Sequence, residues 1–383
     1  MNREIFSLME NWDGEGVVMR HDRPTGTWIF IALHSSALGR PSGGTRMKVY
    51  PTLADGLEDA MRLAEGMTYK WAGLGTPFGG GKAVLAVPRP LEGAERDGLL
   101  LRYGAFVESL NGAFGTGADL GAGPDAMAIV ARRTRYVLGI EADGSPRDPG
   151  PFTAHGVECG LKAALGEVFG SEDPAGRKIL IQGLGDVGGP LARALARDGA
   201  ELLLSDIDEA RAAKLAAELG GRTVPPGQVY STECDVYAPC AIGATVNEET
   251  IPQLKCRIVA GSANNQLRVD EDAERLHRRG IVYAPDYVIN AGGALAFSLM
   301  LEGGWDDESL FRRTAGIGDA IRDILREAAA SESSPLRAAR ARVDRMLAER
   351  RSAAGSPSPL PSPATGEGAP SLPRAAPKRD AGR

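Results

Sequence analysis

Lys178-Ile-Leu-Ile-Gln-Gly-Leu-Gly-Asp-Val-Gly-Gly189 is the stretch that decides the fold. Ile179-Leu-Ile181 is a short apolar run of the kind found in strands covered on both faces, and Gly183-x-Gly185-x-x-Gly188 follows it at once. Val187, Leu191, Ala194 and Leu195 then recur at helical spacing. A bare Gly-x-Gly-x-x-Gly carries little information, but a buried strand before it and a helix after it supply a mechanism. The glycines permit a tight turn and let a pyrophosphate rest on free amides at the helix N-terminus, where the helix dipole favours negative charge. A second strand, Leu202-Leu-Leu-Ser-Asp206, ends in a carboxylate eighteen residues past Gly188, about where an acid meets the ribose hydroxyls of a dinucleotide. Ile207 and Asp208 come next, with no arginine nearby to neutralise a phosphate, so NAD is expected rather than NADP. The cofactor-binding residues on this reading are Gly183, Gly185, Asp186, Val187, Gly188 and Asp206.

Downstream, strands are predicted at Asp235–Pro239, Arg257–Gly261 and Gly280–Ala284, alternating with helices. That rhythm is an α/β architecture with a doubly wound parallel sheet. Ala238, on the first of these strands, is counted among the cofactor contacts. Residues 308–351 read as helical and rich in paired charges, whereas 352–383 is Ser, Pro, Ala and Gly without apolar periodicity and is expected to be disordered. Upstream, His155–Phe169 reads as a helix, and the turn-rich stretch from Glu141 to Pro151 as a linker. The expected organisation is a substrate domain at 1–145 and a Rossmann-type NAD domain at 146–325, whose helical part at 291–325 borders the cleft between them. A C-terminal helix at 326–351 and the tail at 352–383 complete the chain.

The first domain is read around Met67-Thr-Tyr-Lys-Trp-Ala-Gly-Leu-Gly-Thr-Pro-Phe-Gly-Gly-Gly-Lys82. Consecutive glycines are tolerated mainly where something must approach backbone closely; Gly79–Gly81 is therefore expected to be a glycine loop forming one wall of a substrate cleft, with Lys82 at its edge. Leu53, Leu57, Ala60, Met61, Ala64, Met67 and Trp71 predict an amphipathic helix over 53–71, which sets Lys70 close to a buried stripe. Strands are predicted at Trp28–Leu33 and Ala83–Val87, and a helix at 98–110. Gly43-Gly44 is read within a glycine-rich turn, and Asp119 within a loop of small residues spanning 115–123.

The whole-chain statistics bound the partners. The 383 residues are 43% hydrophobic and 25% charged with a net charge of −6, ordinary values that give no reason to expect nucleic acid or an acidic membrane surface. The N-terminus has no apolar run of signal-peptide length, so a cytoplasmic protein is expected. Cys159, Cys234, Cys240 and Cys256 have neither zinc-site nor redox spacing and are expected to be reduced and mostly buried; the four scattered histidines give no support for a metal site.

Gly43-Gly-Thr-Arg-Met47, Gly66-Met-Thr-Tyr-Lys70, Gly79-Gly-Gly-Lys82, Pro151-x-Thr-Ala-x-Gly156, Ala260-Gly-Ser-Ala-Asn-Asn-Gln266 and Asp286-Tyr-Val-Ile-Asn-Ala-Gly-Gly293 resemble the ordered motifs of the Glu/Leu/Phe/Val amino-acid dehydrogenases. Similarity is greatest to the leucine and phenylalanine branches and extends over roughly residues 10–340. The resemblance implies that Lys70 pairs with a substrate α-carboxylate, Lys82 is the catalytic lysine and Asp119 relays protons at the substrate amine. It places Gly43, Gly44 and Met67 beside the substrate, Thr153 and Asn264 near the nicotinamide, and Asn290 at the junction of substrate and cofactor. It also implies NAD as cofactor, an amino acid or 2-oxo acid with ammonium as substrates, and a homo-oligomer. After Asp119 the chain reads Leu120-Gly-Ala-Gly-Pro-Asp125, a departure from the family's usual Val-Gly-Thr. The side-chain pocket would draw on Gly117, Ala294 and Phe297; two small residues leave room that Phe297 partly takes back, which leans towards a phenylalanine-like over a leucine-like substrate. The alternatives are a dehydrogenase of another small acid, such as a 2-hydroxy acid, and a non-catalytic NAD-binding regulator on the same fold.

Overall fold

The computed structural model describes residues 2–141 and 143–354. The expectation of disorder for the tail falls, from residue 355 on, outside the described residues.

The first half of the chain runs α1 (Asn2–Asn11), β1 (Gly16–Asp22), β2 (Thr27–Ser35), β3 (Arg40–Lys48), α2 (Leu53–Gly73), β4 (Phe78–Ala86), α3 (Gly93–Ser109), β5 (Gly115–Ala118) and α4 (Pro124–Ala131). Its strands form one mixed sheet in the order β1-β2-β4-β3-β5. β2 is antiparallel to β1 and β4, while β3 is parallel to β4 and β5. Thr52 starts α2 through a reciprocal cap, its hydroxyl accepting from Asp55 N at 3.2 Å and its own N–H donating to Asp55 Oδ2 at 2.8 Å. Leu57, Ala60, Met61, Ala64 and Trp71 form the buried stripe that lays α2 on the sheet.

Three glycine segments expected as turns or loops are strands. Gly79–Gly81 lie inside β4, all nine residues of which are buried; Gly43-Gly44 lie in β3; and Gly115–Gly117 lie in β5. Glycine is depleted in strands because it has no side chain to pack; here the missing side chain is what lets other backbone come close. A Cβ on Gly80 would collide with Thr68 and lie 2.5 Å from Ala64 O on α2, and one on Gly81 would meet the Phe114 ring at 2.9 Å.

The second half runs α5 (Gly150–Phe169), β6 (Lys178–Gln182), α6 (Gly188–Arg197), β7 (Glu201–Ser205), α7 (Glu209–Leu219), β8 (Arg222–Thr223), β9 (Val236–Pro239), β10 (Ile258–Val259), α8 (Glu271–Arg278), β11 (Val282–Tyr283), α9 (Asp286–Ile289), α10 (Gly292–Glu302), α11 (Asp307–Ala330) and α12 (Pro335–Ala354). All six strands are parallel, in the order β8-β7-β6-β9-β10-β11. Read from β8 this is 3-2-1-4-5-6, the dinucleotide-binding order, whose direction reverses between β6 and β9. One face packs against α5, α6 and α11 through Leu161, Ile179, Leu191, Ile317 and Ile321.

Several limits differ from expectation. β10 and β11 are two residues each instead of five, α3 begins at Gly93 instead of 98, and α5 begins at Gly150 and so takes in Thr153. The C-terminal helix is separated by a break at 331–334 and not at 325, because α11 continues to Ala330. All four cysteines are free, but only Cys256 is buried. α12 returns across the first half: Val343 and Leu347 pack with Ala72 of α2, and Tyr69 donates to Asp344 Oδ1 at 2.8 Å. No helix among the described residues is long and apolar enough to cross a membrane.

Candidate active site

Lys82 stands in the middle of β4 and Asp119 just past the end of β5, with β3 between them. Two strand spacings separate those backbones by roughly 10 Å, so the side chains must meet above β3. Gly44 of β3 pairs with Gly117 of β5, and the β3–β4 register carries it level with Lys82. The side chains meet over it, with Lys82 Nζ 2.5 Å from Asp119 Oδ2. A Cβ on Gly44 would lie 2.9 Å from Asp119 Cβ and 3.2 Å from Lys82 Nζ.

Lys82 is only 6% exposed. Burial pushes its ammonium below the usual lysine range and the Arg46 charge adds to that, while Asp119 opposes it. For Asp119, burial alone would raise the carboxyl, but Lys82 and then Arg46 more than reverse this and hold it below the usual carboxylate range. Arg46 Nε is 3.4 Å from the same Oδ2 that Lys82 reaches.

Lys70, in the last turn of α2, donates from Nζ to Asn290 Oδ1 at 3.0 Å, and Asn290 Nδ2 donates to Asn264 Oδ1 at 2.8 Å. The two halves of the chain thus meet at Lys70. Burial draws its ammonium down to about 8; Asp286 opposes this, and the nearby Lys82 charge reinforces it. Met67, one turn back on α2, lies over Gly43, where an added Cβ would stand 3.1 Å from Met67 Cγ. Met67, Leu138, Ala294 and Phe297 belong to one apolar cluster with Trp71 and Phe78. Gly117 faces Leu138, and the Phe297 ring lies against Gly139, where a Cβ would collide with it.

On the parallel sheet, Gly183 has φ +93°, a value glycine favours, and a Cβ on Gly188 would collide with Gly183 O. Gly185 and Asp186 are exposed and Val187 half-buried, with nothing within 4 Å of a Cβ on Gly185. The loop therefore fits a pyrophosphate, which needs open glycine backbone ahead of the α6 N-terminus. Asp206 is buried; Oδ2 accepts from Leu184 N at 2.8 Å and Oδ1 from Asp208 N at 2.9 Å, tying the carboxylate to the glycine turn. Thr153 Oγ1 donates to Pro149 O at 3.0 Å and accepts from Gly293 N at 3.2 Å, locking α5 to α10.

Ala238 lies in β9 with its side chain in the core of the parallel sheet, and Ala241, just beyond the strand, closes on Gly183. One expectation needs correction. An arginine does stand near Asp206: Arg211, one turn into α7, places Nη1 3.4 Å from Asp206 Oδ2. It stands five residues past Asp206 in the sequence, and the first turn of α7 brings its guanidinium back to the strand end, although the acid that disfavours a 2′-phosphate is still in place. Arg46, Asp59 and Leu138 also border the site without having been singled out. Arg46 was visible two residues after Gly44, on the same strand face.

A parallel dinucleotide-binding sheet in one half of the chain, joined through Asn290 and Lys70 to a second half that presents a buried lysine–aspartate pair, defines a two-domain, nicotinamide-dependent dehydrogenase. Residues 18–136 match the Glu/Leu/Phe/Val dehydrogenase dimerisation domain, and residues 204–351 match the Glutamate/Leucine/Phenylalanine/Valine dehydrogenase domain. The chain belongs to this Glu/Leu/Phe/Val dehydrogenase family. It is 42% identical over 327 residues to leucine dehydrogenase of Bacillus cereus, covering 85% of this chain and 88% of that one. It is 41% identical over 333 residues to phenylalanine dehydrogenase of Bacillus thermotolerans, covering 85% and 86%. The crystal structure of L-tryptophan dehydrogenase from Nostoc punctiforme superposes with a TM-score of 0.81 at 36% identity, covering 91% of this chain and 99% of that one.

Proposed function

We propose that the protein catalyses the NAD-dependent, reversible oxidative deamination of a hydrophobic L-amino acid to its 2-oxo acid and ammonia. The observation that carries this reading is the Lys82–Asp119 pair, buried over Gly44 with Lys70 nearby. Gly183, Gly185, Asp186, Val187 and Gly188 would hold the pyrophosphate and Asp206 the ribose, with Thr153 and Asn264 towards the nicotinamide; bound there, NAD accepts a hydride from the substrate Cα.

Lys70 holds the substrate carboxylate, exchanging its bond to Asn290 Oδ1 for a charge-assisted one. Loss of hydride leaves an iminium carbon that water must attack. Lys82, pushed towards its neutral form by burial, takes the proton from that water. Asp119, held anionic, receives the hydroxyl proton of the collapsing carbinolamine and passes it to the amine nitrogen, so that the C–N bond breaks and ammonia leaves as the carbonyl forms, general acid–base work contributing about 10² to 10⁴ in rate. The strand glycines Gly43 and Gly44 leave space for the substrate above the sheet, under Met67.

Relatives named for leucine, phenylalanine and tryptophan stand at about the same identity, so the substrate side chain is argued from the pocket. Gly117 and Ala294 are small, and Phe297 is turned onto Gly139. This supports a phenylalanine-like substrate over a leucine-like one, a preference worth about 1–3 kcal/mol per methylene of pocket space. The family's dimerisation-domain match supports a homo-oligomer, which light scattering would report as a multiple of 40.2 kDa. A cytoplasmic location is proposed on the sequence reading alone.

Purified protein with NADH, ammonium and a panel of 2-oxo acids tests the reading. Ammonium-dependent NADH oxidation, fastest with aromatic 2-oxo acids, is expected. Turnover without ammonium would point to a 2-hydroxy-acid dehydrogenase, and none with any acid to a regulator.

A further inference from the structure

Arg46 follows Gly44 by two residues on β3 and therefore projects from the same face as the clearing in which Lys82 and Asp119 meet. Its guanidinium is bracketed by two carboxylates. Nε lies 3.4 Å from Asp119 Oδ2, and Nη1 donates to Asp59 Oδ2 at 3.0 Å. Asp59, on α2, is itself fixed: Tyr50, from the segment between β3 and α2, donates to Oδ2 at 2.7 Å and Arg62 of α2 to Oδ1 at 2.8 Å. A bare structural pair would need only Asp59. The geometry instead gives Asp119 Oδ2 two cationic neighbours, Lys82 on one side and an anchored guanidinium on the other.

We propose that Arg46 is a positioning residue for the proton relay, one that holds the Asp119 carboxylate over Gly44 and biases which member of the Lys82–Asp119 pair carries the proton. The proposal rests on the reading that Lys82 is the base. The charged groups facing the pair are Arg46 from β3, Lys70 from α2 and, at longer range, Asp59 of α2; Tyr50 acts through Arg46, and Asp286 through Lys70. A fixed cation beside Asp119 favours the ionised carboxylate and disfavours a second cation at Lys82, so both effects favour the neutral amine that the water step needs. Without Arg46, Lys82 would be left paired to Asp119 alone and would release its proton only at higher pH. Asp59 works the other way: its negative charge, acting at longer range, makes Lys82 harder to deprotonate.

The test is the pH profile of kcat for amino-acid oxidation in the wild type, Arg46→Gln, Arg46→Lys and Asp59→Asn. Arg46→Gln is expected to lower kcat by about 10- to 100-fold and to move the rising limb upward by roughly one pH unit, with KM within about threefold. Arg46→Lys restores the position of the limb, and Asp59→Asn moves it downward. A profile for Arg46→Gln that superimposes on the wild type after scaling, or an effect confined to KM, overturns the proposal even if stability falls. Should Arg46→Gln not fold, Arg46→Met takes its place: an upward shift of the limb supports the proposal and an unmoved limb overturns it. Lys82→Ala separates the two claims: wild-type turnover in that variant would remove the underlying reading, whatever Arg46 does.

Discussion

Gly44 has no side chain, and a methyl group there would press on Ala118 O at 2.7 Å, Asp119 Cβ at 2.9 Å and Lys82 Nζ at 3.2 Å. Gly44→Ala is therefore predicted to separate the pair and lower kcat by about 10², while NADH binding, measured by fluorescence titration, stays near the wild-type value. Retained turnover would mean that the pair does not act as a unit. Lys70 carries a second prediction at this scale. With its ammonium drawn down to about 8, the free protein loses the charge that receives a carboxylate as pH rises through that value. The Kd for a 2-oxo acid, read by calorimetry, should rise roughly tenfold per pH unit above it, and Lys70→Arg should flatten the dependence. At this scale the sequence was legible through motifs and not through physics. Nothing in composition or spacing pairs Lys82 with Asp119, because the pairing depends on two strands lying either side of a third. Arg46 and Arg211 stand close in sequence to Gly44 and Asp206, but their contacts to Asp119 and Asp206 form only when neighbouring elements are packed.

Strand β4 and helix α2 show why elements with strong local signals were readable and glycine strands were not. The segment from β6 to α6 declares itself through a buried strand, a glycine turn and a helical stripe within twenty residues, all local properties. In β4 the propensity of Gly79–Gly81 points to a loop, and only the close approach of α2 from the other side reverses it. Gly80→Ala tests that account: the added methyl meets α2 at Thr68 and Ala64, not open space. It should destabilise by about 1–3 kcal/mol or more, seen as a lowered denaturant midpoint, whereas Gly220→Ala, at a left-handed helix cap with open space around it, should cost less. Equal losses would contradict the packing argument. β10 and β11 came out shorter than their apolar runs because only two residues of each pair with neighbours before the chain turns away.

In the whole molecule, α12 ties the two halves together on the side of α2, and Lys70–Asn290 joins them at the site. Between them lies a cavity of about 370 Å³ bordered by Arg62, Tyr69, Asp286, Tyr287 and Arg340. Closure of the two halves over bound substrate would shield the relay from bulk water. Small-angle scattering should show a smaller radius of gyration with NADH and a 2-oxo acid together than with NADH alone; an unchanged value would argue for a site that works without closing. The division of labour between the two lysines is the centre of this account, and steady-state kinetics of Lys82→Ala and Lys70→Ala test it most directly. The account predicts that Lys82→Ala loses kcat by at least about 10² with a nearly unchanged KM for the amino acid, and that Lys70→Ala chiefly raises KM. The opposite assignment, with KM rising in Lys82→Ala and kcat collapsing in Lys70→Ala at unchanged KM, would contradict it.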